Sequence, residues 1–189
     1  MPPKVKITKE AIISAALDLV RAEGEEALNA RSLAAKMNAS TQPIFSNFAS
    51  MDEVRAAVIE AAAQLNYKFW QEDISTGKYP TYKASGMAYV RFAREEPNLF
   101  KLLYMRDRTT EAQDDLGLFA GVIDIIKKST GISDTYAKKL HLEMWVFVHG
   151  IGVMLATSHT KLDEELICSM ISDVYLSLVE KFKNNSTRG

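Results

Sequence analysis

Disulfides are ruled out first, because Cys168 is the single cysteine of the 189-residue chain and cannot form an internal bridge, which suits a reducing cytoplasm. Net charge is nearly absent as well: 23 basic residues stand against 24 acidic ones, giving −1, so the chain as a whole has no attraction for nucleic acid or an acidic membrane. A membrane-spanning run is missing. The longest apolar stretch, 144–156, is interrupted by His149 and is shorter than the roughly 18 residues a span requires. The opening residues, Met-Pro-Pro-Lys-Val-Lys, hold no apolar signal core. There is no Asn-Gly hairpin signal, no internal repeat and no low-complexity segment. Catalytic motifs are lacking too: no Gly-x-Ser-x-Gly elbow, no phosphate loop and no His-Glu-x-x-His pair. Gly150 and Gly152 lie inside a predicted helix and make a poor dinucleotide signal. His141, His149 and His159 are spaced roughly 12–15 Å apart along one helix at about 1.5 Å per residue, too far to share a metal. Neither catalysis nor a cofactor or metal is expected.

What the chain does have is 47% hydrophobic residues, enough for a packed core, with the β-branched ones at helical spacing. The expected fold is all-α with about nine helices. The first runs from a Thr8 cap through Ile12, Ala15, Ala16 and Leu19 to a Gly24 stop. A long fourth helix opens at Ser50 with Asp52 and Glu53 at its positive end and reaches Trp70 or Asp73. Gly77 and Pro80 break the chain before a fifth helix that Pro97 closes. Further helices are predicted over 98–105, 110–130, from a Ser133 cap to about Thr157, and over 162–182, followed by a frayed tail.

The most informative stretch is 31–48. Leu33, Ala34 and Met37 are the apolar positions of a short helix, and Asn38-Ala39-Ser40 breaks it. A second helix then starts near Thr41, with Ser40 as its expected side-chain cap and Pro43 in the first turn, where a missing N–H costs little. Its inward residues are drawn from Ile44, Phe45 and Phe48, which leaves Thr41, Gln42, Ser46 and Asn47 for a partner. Two helices joined by a tight turn, with a polar helix end projecting, form a helix-turn-helix suited to a DNA major groove.

These residues resemble the tetracycline-repressor (TetR) family of one-component transcription regulators. The likeness rests on Ala-Glu-Gly at 22–24, Arg31, Leu33-Ala34, Ser40, the aromatic Phe45, Phe48 before the Ser50 cap, and Val54. Glu-Pro-Asn-Leu-Phe-Lys-Leu-Leu-Tyr at 96–104, with Trp145 and His149-Gly150, is similar to a ligand-domain subtype of that family. The resemblance implies a DNA-binding domain over 1–50 and a ligand-binding and dimerisation domain over 51–189. It also implies a homodimer that binds a palindromic double-stranded operator, as a repressor, and is released by a small, apolar or aromatic effector. Departures from the pattern are Asn38 for the usual Gly, Phe45 for Tyr, Ser46 and Asn47 for a basic and His pair, and Met51 for Lys. Each of the last three weakens phosphate contact. Residues 1–50 carry six basic side chains against five acidic, a net of +1. DNA binding is therefore expected to be weak and to lean on base contacts and dimer avidity, and a salt-titration slope near about ten counterions would contradict this.

The candidate DNA-binding residues are Arg31, Lys36, Ser40, Thr41, Gln42, Pro43, Phe45, Ser46 and Asn47, with Lys4 and Lys6 on an N-terminal arm. Gln42 suits adenine, and the Thr41 methyl or Pro43 ring suits a thymine methyl; equally, Ser-Thr-Gln-Pro would start any helix. The candidate effector residues are Trp70, Phe92, Phe100, Tyr104, Met105, Phe119, Trp145, His149 and Gly152. Trp145, His149 and Gly152 fall on one side of a helix at four- and three-residue steps, where they form a pocket wall or a core histidine beside a packing tryptophan. Apolar series in helices eight and nine, Leu140 to Met154 and Leu166 to Leu178, predict a four-helix dimer interface unless both pack on the monomer core. The alternative function is a helical small-molecule-binding or protein-interaction module of the same fold that has lost DNA binding.

Overall fold

The computed structural model describes residues 7–107, 109 and 120–186. Among them are nine α-helices and no strand: α1 (Lys9–Glu23), α2 (Ala30–Lys36), α3 (Gln42–Asn47), α4 (Met51–Ser75), α5 (Thr81–Glu95), α6 (Pro97–Tyr104), α7 (Ala120–Thr130), α8 (Asp134–Ala156) and α9 (Glu164–Ser186), with one 3-10 turn at Glu25–Ala27. The first ten residues of the expected 110–130 helix lie outside the described residues.

Local chemistry explains most of the boundaries. The Thr8 hydroxyl accepts from the Ala11 amide at 3.2 Å and starts α1, and Gly24, at φ +88°, ends it. The Asn29 carboxamide oxygen accepts from the amides of Arg31 and Ser32 at the head of α2, a cap the periodicity did not announce. Ser50 accepts from the Glu53 amide while the Glu53 carboxylate accepts from the Ala49 amide, a reciprocal arrangement that opens α4. Ser133 caps α8 through the Tyr136 amide.

The chain divides into two units. One comprises Met1–Tyr67 with Glu96–Arg106, the other Lys68–Glu95 with Asp107–Gly189. In the first, α1 packs on α2, α3 and α6. Its buried residues include Ile12, Ala16, Leu19 and Val20 of α1, Leu33 and Ala34 of α2, and Leu99, Phe100 and Leu102 of α6. Polar ties fix α6 there: Arg21 donates to Glu96 at 2.7 Å, Asn98 donates to the Arg21 carbonyl at 3.0 Å, and Asn66 donates to the Tyr104 hydroxyl at 2.7 Å. In the second unit α8 is central, packed on α5, α7 and α9. Leu140, Met144, Val148 and Ile151 of α8 meet Met87 and Val90 of α5, Ile123 and Ile126 of α7, and Ile167, Ile171 and Phe182 of α9.

No helix among the described residues is long and apolar enough to cross a membrane.

Candidate functional site

The turn between α2 and α3 is a left-handed cap. Asn38 sits at φ +50°, its amide donates to the Ala35 carbonyl, and the Ala39 amide donates to the Ala34 carbonyl, each at 3.0 Å. These are the two bonds of a Schellman motif, and Asn enters the left-handed region at less cost than other non-glycine residues. Asn38 thus does the work of the glycine it replaces.

The start of α3 differs from the expectation. Ser40 is not the cap; the capping position is Thr41, whose side chain makes no cap hydrogen bond. The reason lies in Pro43. A capping hydroxyl serves the amides two and three positions on, but Pro43 has no amide and the Ile44 amide already donates to the Thr41 carbonyl at 3.1 Å. Neither of the two amides that a Thr41 hydroxyl would serve is left for it to satisfy.

Burial sorts the aromatic positions. Ile44 and Phe48 are sealed inward, whereas Phe45 is 50% exposed and does not belong to the core. Gln42, Ser46, Ser40, Arg31 and Lys36 are exposed, and Thr41, Pro43 and Asn47 are half-buried. Arg31 and Lys36 make no ion pair among the described residues. Two other arginines of the same unit are engaged: Arg21 with Glu96 and Asp18, and Arg55 with Glu25 and Asp52. Lys9 places its ammonium 4.9 Å from the Phe48 ring centroid. Lys4 and Lys6 lie outside the described residues.

The candidate effector residues divide between the units. Phe100, Tyr104 and Met105 belong to the first, where Phe100 is fully buried, its ring 5.1 Å from that of Tyr104, and Met105 is 44% exposed. Met105 lines a surface groove of about 500 Å³ together with Glu25, Asn98 and Lys101. Trp70, Phe92, Trp145, His149 and Gly152 belong to the second unit, and Phe119 is outside the described residues. Phe92 is fully buried, edge-on to Phe69 at 5.3 Å, and the Arg91 guanidinium lies 4.2 Å above the Phe69 ring. Trp70 is half-buried and Gly152 buried.

The helical spacing of Trp145 and His149 does bring them together: the rings stack at 5.2 Å with 14° between their planes. The pair has a third member that no local pattern signals. Tyr89 of α5, 60 residues away in the chain, shares a 2.8 Å hydrogen bond with His149 Nδ1. Burial holds the His149 pKa below its ordinary value. The native state therefore resists a proton that the unfolded chain accepts, and its stability falls as pH drops below the ordinary imidazole value of about 6.5. Unfolding midpoints measured between about pH 7 and 5.5 should decline, and His149→Phe should flatten that decline. An equal pH response in the variant would show that His149 is not its source.

A groove of about 430 Å³ in this unit is lined by Lys78, Tyr79, Glu164, Glu165 and Cys168. The Lys78–Glu164 ion pair spans it at 2.8 Å, which raises the lysine pKa and lowers that of the carboxylate. Among the described residues no group of three or more His, Cys, Asp or Glu side chains is placed to hold a metal ion.

A family model described as the C-terminal domain of tetracyclin repressor-like proteins matches residues 82–170. Along 188 residues, 98% of both chains, the sequence is 22% identical to a Bacillus subtilis (strain 168) protein named as the uncharacterized HTH-type transcriptional regulator YobS.

Proposed function

Since the chain belongs to the tetracycline-repressor-like family of transcription regulators, we propose that it binds a palindromic operator in double-stranded DNA as a cytoplasmic homodimer, represses, and is released when a small apolar or aromatic molecule binds its helical body. The observation that carries the DNA reading is the α2–α3 pair. A Schellman turn and two inward anchors, Ile44 and Phe48, fix a six-residue helix whose Gln42, Phe45 and Ser46 side chains are exposed. Arg31 and Lys36 supply cations for phosphates, which position a protein on the duplex, while base-edge contacts supply the sequence preference.

The effector reading is supported by the Tyr89–His149–Trp145 group, which sets a phenol, an imidazole and an indole side by side, all three within the residues that the family model matches. Release requires that the effector bind one arrangement of the dimer better than the other.

Selection of bound duplexes from random DNA tests the proposal. Enrichment of a palindrome supports it, and failure to enrich any sequence favours the helical module without DNA binding. Gln42→Ala should then cost about 1–3 kcal/mol at one operator position and relax the preference there. Binding titrations against operators varied at each position would read this directly, and an unchanged preference would remove Gln42 from the base-reading set.

A further inference from the structure

Fewer groups on α3 are available to a base than its sequence suggests. Ser46 donates its hydroxyl to the Gln42 carbonyl at 2.8 Å, and Asn47 donates its amide to the Pro43 carbonyl at 2.7 Å. Both donors are turned back onto their own helix. None of the six residues Gln42–Asn47 is charged. The outward side chain that keeps its full hydrogen-bonding capacity is the Gln42 amide, exposed and without a side-chain hydrogen bond among the described residues, and three positions on stands the half-exposed Phe45 ring. Residues three apart are neighbours on a helix surface, so the two form one short patch of an amide beside an aromatic ring.

The major groove offers distinct partners to such a patch. Guanine O6 and N7 suit Arg or Lys, and cytosine N4 suits Asp or Glu, none of which α3 carries. Adenine N6 and N7 suit a bidentate amide, and thymine presents a C5-methyl to apolar side chains. Resting on the reading of α3 as the DNA-recognition helix, we propose that the protein reads A·T pairs in each half-site, with Gln42 on an adenine and the Phe45 ring packed on the C5-methyl of a neighbouring thymine. Phe45 is then a specificity-determining residue. Its exposed ring, unfavourable in the free protein, gains its burial from the base.

The test uses the full chain and the operator recovered by selection from random duplex DNA. Each thymine of the half-site is replaced in turn by deoxyuridine, which removes the methyl and leaves every hydrogen-bonding group in place. One thymine per half-site should show a loss of roughly fourfold in affinity, and about fifteenfold when both half-sites are replaced, as expected for one methyl lost from each contact. The penalty should vanish in Phe45→Ala and persist in part in Phe45→Leu. Because Phe45 lies outside the core, Phe45→Ala should melt like the parent, so its loss of discrimination reports a lost contact. Guanine and cytosine at the selected centre of each half-site would overturn the assignment while leaving operator binding intact. A deoxyuridine penalty that persists in Phe45→Ala, or no penalty at any thymine, would do the same. Failure to recover any operator would overturn this inference together with the reading it rests on.

Discussion

Replacing Leu166 and Leu176 together by aspartate is expected to yield a folded monomer that binds the operator on the order of 10²–10⁴-fold more weakly than the parent. Leu166 is 47% exposed and Leu176 61%. At 100° per residue both fall, with Met170, within one outward stripe of α9. The opposite face of the same helix carries Ile167, Ile171 and Phe182 into the unit's own core, so the substitutions leave that packing untouched. On α8, Val146, Gly150 and Met154 follow one another at four-residue steps on the exposed side, and a Cβ built at Gly150 meets nothing within 4 Å. An outward glycine in mid-helix weakens the helix, and it leaves the backbone open to a closely approaching second helix. Two copies joined through these faces would occupy both half-sites at once, and that coupling is what the monomer loses. Light scattering at micromolar concentration and an operator titration read the two effects. A double variant that remains dimeric would move the interface elsewhere.

The other large effect is on stability. Phe92→Ala should lower the unfolding free energy by about 3–5 kcal/mol, because the removed ring is fully buried and its neighbours close the cavity only in part. The edge-on contact with Phe69 is lost as well, and Phe69 is itself covered by the Arg91 guanidinium. That cation is fixed in turn. Burial alone would lower its pKa, but hydrogen bonds to Asp73 and Glu72 outweigh this and raise it. Phe92 thus stands at the base of a stacked aromatic and ionic group joining the end of α4 to α5. Urea denaturation measures the change. A loss below about 1 kcal/mol would mean that the ring is free to be given up, as expected of a side chain held for a ligand.

The family model matches 82–170, whereas the α2–α3 turn and its outward side chains lie before that stretch. The helix-turn-helix stands on the geometry at 31–48, where a Schellman turn joins α2 to α3. The effector body stands on the family model and on the Tyr89–His149–Trp145 group.

The sequence by itself determined what depends on neighbours along the chain. Thr8, Ser50 and Ser133 mark helix starts because a cap bonds amides three residues away, and Asn38 and Gly24 end helices because their own backbone tolerates the turn. The all-α class followed from periodicity, and the Trp145–His149 stack from two positions one helical turn apart. Tertiary structure alone decided which of Ile44, Phe45 and Phe48 turn inward, since a short helix offers several faces and only the elements crossing it choose one. It also decided that α6, which follows α5 in the chain, packs with α1, and that Tyr89 is the hydrogen-bonding partner of His149. Such pairings join residues dozens of positions apart, and no local spacing encodes them: the energy that selects them is burial and hydrogen bonding gained only once the helices have met.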